Sequence, residues 1–393
     1  AGLWPHAQKL YESAQSKART GVLSFSEAEY CVWEDHWIRS AERLQEWDIL
    51  TDLAKHEGNT DLLMECAWRL SDWSAEKESL TVAVGSLSQN APRTKVFEAF
   101  LELLNFEDKN ANQQNTAQKL QRICDEGIEL LLKRWQELPT TAVNAHIPIL
   151  HSFQQFVELM ETVTIYKSLG ETGPQNLEEK HDVLKGILRT WRERLPNVWD
   201  DINIWSDMVH WRQHVFQLIN RAYLPLITAL NSHPGRENQS SLAFRGYHET
   251  AWIINRFAQV ARRHLLVDVC NDSLSKIYTL PNIEIHEAFF KLREQAKSYF
   301  VNVSDYATGL DVINNTNLLY FTQAQKSEFF ALKGIFFSKL NLHTDATKSF
   351  ETALAIDTNL DKAWSAWGHY NDRMFKKNPT NLSYAEQAMT CYL

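Results

Sequence analysis

Two segments near the end of the chain carry the same spacing of small and aromatic residues. Trp364 and Gly368 recur 34 residues after Phe330 and Gly334. A period of about 34 residues is typical of a repeated helix–turn–helix unit. Such a unit cannot cover its apolar face alone, so neighbouring units stack on it and form a solenoid. The pattern therefore indicates a binding surface before it indicates an active site.

Glycine and alanine occupy the positions where the helices of such a unit must approach each other. Gly334 and Gly368 have no side chain to hold a neighbouring helix away. Further small and aromatic residues follow at helical spacing: Phe337, Ala346, Phe350 and Ala353. We expect the aromatic rings to fill the grooves between neighbouring helices.

Helical signals continue through the whole chain. Ser26 and Glu29 form a capping-box pattern ahead of a helix over about 28–44. No segment shows the two-residue period of a strand. We therefore predict an all-α fold, an α-solenoid of tetratricopeptide-like or HEAT-like hairpins. Further helices are predicted over about 60–70, 76–89, 93–106, 116–138, 144–168, 177–194, 202–230, 242–265, 283–300, 305–319, 321–340, 344–356, 360–376 and 381–393.

Three polar segments interrupt the helical pattern and predict loops: 107–115, 170–176 and 231–241. The third contains proline and glycine and no apolar residue, which is typical of a linker. We predict an N-terminal helical array over 1–230, a flexible linker or loop over 231–241, and a C-terminal array over 242–393. The tetratricopeptide-like repeats lie at about 327–393. Pro225 falls within a helical run and is expected to kink or divide it.

A second repeat appears near the start of the chain. Residues 41–47 and 67–73 both read A-x-R-L-x-[DE]-W. Each copy follows a helical stripe, and Trp47 and Trp73 are predicted to stand at the corner that leads into the next helix. A repeated helix–corner–helix unit is the economical explanation of both copies.

Charge and cysteine content exclude several classes of protein. The 393 residues carry a formal net charge of −9, which disfavours nucleic-acid binding because phosphate backbones attract basic surfaces. No apolar run approaches the roughly 18 residues that a membrane span needs. The cysteines are far apart and form no C-x-x-C pair, so we expect reduced thiols in an intracellular protein. They are Cys31, Cys66, Cys124, Cys270 and Cys391.

Motifs of catalysis fail at defined positions. His56, His248 and His286 each begin an H-E-x-x-H zinc-peptidase pattern, but none is followed by the second histidine. The chain contains no glycine-rich phosphate loop, no H-R-D or D-F-G kinase motif and no G-x-S-x-G elbow. We therefore predict no catalytic residue, no cofactor-binding residue and no metal ligand.

Two pairs of polar residues could belong either to a functional site or to the structure alone. His210 and His214 are one helical turn apart, but no third ligand lies near them in sequence, so a partly exposed pair is favoured over a metal site. Asp200 and Asp201 precede a predicted helix. Capping of that helix is therefore favoured over acid–base chemistry.

Tryptophans and a basic run are the remaining candidates for binding. Trp33 and Trp37 share a helix face, as do Trp364 and Trp367, and packing between helices is favoured over a cation-binding cage. Trp199, Trp205 and Trp211 recur every six residues and form no single stripe. The basic residues are Arg256, Arg262, Arg263 and His264. The run Arg262–His264 is interpreted as a solvated helix end, with contact to an acidic partner as the alternative.

The beginning and the end of the chain resemble one known family. The segments 10–30, 33–37 and 41–54, with their W-E-D-H-W and R-L-x-E-W-D cores, look like the FAT domain of the phosphatidylinositol-3-kinase-related kinases. Residues 346–368, with A-L-A-I-D and A-W-S-A-W-G, resemble the late repeats of the same domain. The stretch 107–300 carries little of this pattern. In detail, the chain is most similar to the coactivator branch of the family, whose kinase-like domain has lost catalytic residues.

The resemblance implies a function that the residues alone do not show. It implies a segment of a giant nuclear pseudokinase, a non-enzymatic scaffold of histone acetyltransferase complexes of the SAGA and nucleosome-acetylating types. The implied partners are subunits of those complexes, transcription activators and a kinase-like domain beyond Leu393. No cofactor and no membrane are implied, and no binding residue can be transferred. Two alternatives stay open: the FAT segment of an active kinase, and a free-standing tetratricopeptide adaptor.

Overall fold

The computed structural model describes residues 3–105, 113–173, 175–231, 241–301 and 303–393. The chain divides into two compact units: unit 1 runs to Glu249, and unit 2 begins at Thr250. The described residues form eighteen α-helices and short 3-10 turns, and contain no strand. The prediction of an all-α, helical-repeat fold is confirmed.

Ten helices lie in unit 1, and an eleventh begins there and continues into unit 2. They are α1 (Trp4–Arg19), α2 (Glu27–Arg43), α3 (Trp47–Glu57), α4 (Thr60–Leu70), α5 (Lys77–Gly85), α6 (Pro92–Leu104), α7 (Gln113–Gln136), α8 (His146–Gly170), α9 (Leu177–Glu193), α10 (Ile202–Asn231) and α11 (Arg245–Arg263). Neighbours in sequence pack as hairpins, for example α1 on α2 and α3 on α4. Helix α10 packs on α8 and also reaches α2 and α4, which ties distant hairpins together.

Seven further helices complete unit 2. They are α12 (Val267–Ser275), α13 (Ile285–Ser298), α14 (Tyr306–Asn314), α15 (Gln323–Lys339), α16 (His343–Ile356), α17 (Asp361–Lys377) and α18 (Leu382–Tyr392). The pairs α15/α16 and α17/α18 are the two hairpins that the 34-residue spacing predicts, and α15 also packs on α17.

Most predicted helices are present, and the exceptions have local causes. The capping box of Ser26 and Glu29 is confirmed at the start of α2. Helix α12 was not predicted, because its asparagine, aspartate and serine residues favour turns over helix interiors. Helix α14 ends at Asn314 rather than near 319, where further asparagines follow. Pro225 lies inside α10, which continues to Asn231 without being divided.

The predicted loops are only partly covered by the described residues. The segment 107–112 lies outside them, while 113–115 belong to α7, so the loop prediction is wrong there. Helix α8 extends to Gly170, and a turn follows. The linker predicted at 231–241 lies outside the described residues except at its two ends. That linker and the domain boundaries derived from it stay predictions.

One type of helix corner occurs three times in the described part of the chain. Gln45, Leu265 and Asn341 each have a φ of about +60° and each stand two residues before the next helix. In all three corners the following N–H bonds to a carbonyl five residues earlier, which is the wide hydrogen bond of a Schellman motif. A left-handed residue at this point turns the chain sharply, so the next helix packs back on the previous one.

Both A-x-R-L-x-[DE]-W copies place a tryptophan where one helix leads into the next, as predicted, but the two copies do not form the same corner. Trp47 begins α3 directly after the corner at Gln45. Trp73 instead lies in the turn before α5, since Ser71 is extended and the Asp72 carboxylate accepts hydrogen bonds from the next turn's backbone. Both indoles are buried. The sequence match therefore reflects shared packing rather than a shared turn.

Glycines mark the closest helix contacts. A Cβ at Gly334 would lie 2.8 Å from Cε1 of Phe350, and one at Gly368 would lie 2.8 Å from Cε1 of Tyr392. The predicted close approach at both glycines is confirmed. The same arrangement occurs at two glycines that show no 34-residue period, with Gly127 under Phe156 and Gly309 under Phe336.

Candidate interaction surfaces

No group of three or more metal-binding side chains converges within the described ranges. In the same ranges, no helix combines the length and apolar character needed to cross a bilayer. All five cysteines are free thiols, and four of them are buried.

The paired aspartates stand at the start of α10 and hold the local chain. Asp200 accepts a 2.7 Å hydrogen bond from the backbone of Asn197, and Asp201 accepts one of 3.0 Å from the backbone of Asn203. Asp201 also forms a 2.5 Å ion pair with Arg43 on α2. These contacts explain the pair structurally: the carboxylates secure the entry to α10 and attach α2 to it.

The histidine pair on α10 divides between two environments. His210 contacts the backbone oxygen of Ser206 at 2.7 Å. His214 packs against the rings of Trp68 and Phe100, at 5.8 and 5.1 Å between centroids. Burial lowers the pKa of His214 to about 4. The two imidazoles therefore have different surroundings, and His214 is part of an aromatic core.

Stability should depend on the protonation of His214. A folded-state pKa below the usual value of 6.5 means that the unfolded chain binds the proton more readily. The contribution of neutral His214 to the free energy of unfolding is fully present above about pH 6.5, and it decreases as the pH falls towards 4. We expect His214→Gln to flatten the pH dependence of the unfolding midpoint in this window, measured by urea titration. His6→Gln, at an exposed position, should leave it unchanged.

The tryptophans of unit 1 mostly serve this core. Trp68 is fully buried, stacks on Trp211 at 6.3 Å with an interplanar angle of 8°, and meets Trp73 edge to face at 5.2 Å. Trp205 is also buried, whereas Trp199 is 70% exposed. Packing between helices is confirmed for these indoles, with Trp199 as the exception.

A cleft of about 260 Å³ opens in unit 1 beside this core. Arg93 spans it, with hydrogen bonds of 2.7 and 2.9 Å to Glu65 and of 2.7 and 3.0 Å to Asp207. Arg69 adds a 2.7 Å ion pair to Glu65 and lies 3.9 Å over the ring of Trp47. The cleft therefore has paired charges on its walls.

The cleft's charges are held in place by one another. Burial alone would raise the pKa of Glu65, but Arg93 and Arg69 bring it to about 2. The carboxylates of Asp207 and Glu65 in turn outweigh burial and raise the pKa of Arg93. Glu65 and Arg93 therefore stay ionised at neutral pH, and the network of ion pairs joins α4, α6 and α10.

Glu158, which also lines the cleft, belongs to a fully buried ion pair. Arg212 on α10 donates to Glu158 on α8 at 2.7 and 3.2 Å, and both side chains are 1% exposed. The same guanidinium donates to the carbonyl of Arg194. Such a pair costs desolvation and remains only because its geometry is complete. Nothing in the sequence pattern marked either residue, since the two partners stand 54 residues apart on different helices.

Unit 2 carries a continuous line of basic and aromatic side chains, which we call the basic furrow: Trp252, Arg256, Phe290, Arg293, Lys297, Glu328 and Lys362. The Arg256 guanidinium lies 5.6 Å from the ring of Phe290, and that of Arg293 lies 4.2 Å from the same ring. Glu328 has cationic nitrogens of Arg293, Lys297 and Lys362 at 3.6, 3.7 and 3.6 Å. The furrow runs across α11, α13, α15 and α17.

The basic run at the end of α11 is only partly solvated, so the interpretation as a free helix end is wrong for Arg262. Its Nε donates at 2.8 Å to Glu294, whose side chain is 1% exposed. Arg293 contacts the same carboxylate at 3.1 Å. Burial would raise the pKa of Glu294, but Arg262 and the neighbouring cations lower it. Arg262 thus joins α11 to α13 below the basic furrow.

Comparison with known proteins defines the class. The FAT domain family matches residues 60–393. The chain belongs to this family of helical-repeat domains. The segments 10–30 and 41–54, on which the resemblance first rested, lie ahead of the matched region, whereas 346–368 lie within it.

Particular relatives cover the whole chain. It is 53% identical over its full length to the SAGA complex/NuA4 acetyltransferase complex subunit TRA1 of Saccharomyces cerevisiae, and 51% identical to the corresponding subunit of Schizosaccharomyces pombe. It is 34% identical to the human transformation/transcription domain-associated protein. In each case the chain spans about a tenth of the relative's length.

Proposed function

We propose that this chain is a non-catalytic scaffold segment of a large nuclear transcription coactivator. Identity of 53% over the entire chain to a subunit of SAGA and NuA4 acetyltransferase complexes carries this proposal. The protein would help activators to recruit histone acetyltransferase complexes, and its kinase-like domain would be inactive. The segment itself would contact that domain and other complex subunits, without binding nucleic acid directly.

The arrangement of charges supports a scaffold role. In unit 1, ion pairs join helices that are far apart in sequence, as Arg93 does between Glu65 and Asp207. In unit 2, Glu328 forms ion pairs with cationic side chains of α13 and α17. Contacts of this kind fix a surface in one shape, which is what a partner protein requires. No observation favours an active kinase or a free-standing adaptor over this function.

The proposal is tested on the intact protein that carries this chain. We expect an acetyltransferase activity to co-purify with an affinity-tagged copy isolated from its own cells. That activity would transfer acetyl groups from acetyl-coenzyme A to nucleosomal histones. No phosphate transfer from ATP to protein should exceed that of a mock purification from untagged cells. Phosphate transfer that follows the tagged protein through high-salt washing, without acetyl transfer, would instead identify an active kinase.

A further inference from the structure

We draw no further inference here: the strongest candidate, the cleft of unit 1 between α4, α6, α8 and α10, carries none because Glu65, Arg93 and Asp207 on its walls pair with one another and nothing in the structure shows what would occupy it.

Discussion

Glu158→Ala is expected to lower the free energy of unfolding by about 3–5 kcal/mol, the largest loss for any single change considered in unit 1. The substitution leaves the Arg212 guanidinium buried at 1% exposure without its carboxylate, and the ring of Trp191 at 5.6 Å cannot replace that charge. The measurement is urea denaturation followed by tryptophan fluorescence, with circular dichroism to confirm that the variant is folded.

Two further variants show whether the loss comes from an unpaired charge. Glu193→Ala removes the partner of Arg189 in an exposed pair, 69% and 81% exposed, and should cost less than about 0.5 kcal/mol. Replacing both Glu158 and Arg212 by methionine removes the buried charges together and should restore most of the stability. If the double variant is no more stable than Glu158→Ala, packing rather than charge determines the loss.

Local patterns in the sequence were sufficient for most of the helices and for the contact at Gly334. Its spacing to Phe330 and its 34-residue recurrence at Gly368 depend only on residues within two hairpins. The capping box of Ser26 is local in the same sense. Each of these features depends on residues within one hairpin or on a regular spacing between hairpins, so its residue types and spacing remain visible in the chain.

Contacts between distant helices could not be read in this way. Glu158 and Arg212 are 54 residues apart, and nothing in either run indicates that α8 and α10 meet. Arg262 appeared as part of a solvated basic run because its partner, Glu294, is 32 residues away. The close contacts at Gly127 and Gly309 depend on aromatic rings 29 and 27 residues away along the chain, at no common period.

The candidate surfaces, too, depend partly on local sequence and partly on contacts between distant helices. Sequence showed that Arg256 and Arg262 belong to one basic cluster, but not that the two side chains have different partners. That difference arises because Arg256 packs over Phe290, whereas Arg262 reaches a carboxylate that is 1% exposed. The candidate surfaces therefore depend on side-chain contacts between helices, and the tertiary fold determines these contacts.

Gly334→Leu is expected to lower the free energy of unfolding by about 1–3 kcal/mol. A Cβ at this position would lie 2.8–3.0 Å from three ring atoms of Phe350, which is itself fully buried, so neither the ring nor the added side chain has room. Helices α15 and α16 must then separate, and the hairpin loses its packing. Thermal melting followed by circular dichroism measures the effect.

Gly186→Leu provides the matched control, since Gly186 is also inside a helix but nothing lies within 4 Å of its would-be Cβ. Leucine favours helices over glycine by about 0.5–1 kcal/mol, so this change should be neutral or stabilising. The two identical substitutions should thus move the melting temperature in opposite directions. An unchanged melting temperature in Gly334→Leu would show that the two helices can separate at this point without cost. The 34-residue repeat of glycine would then reflect helix geometry alone and not the contact that holds the hairpins together.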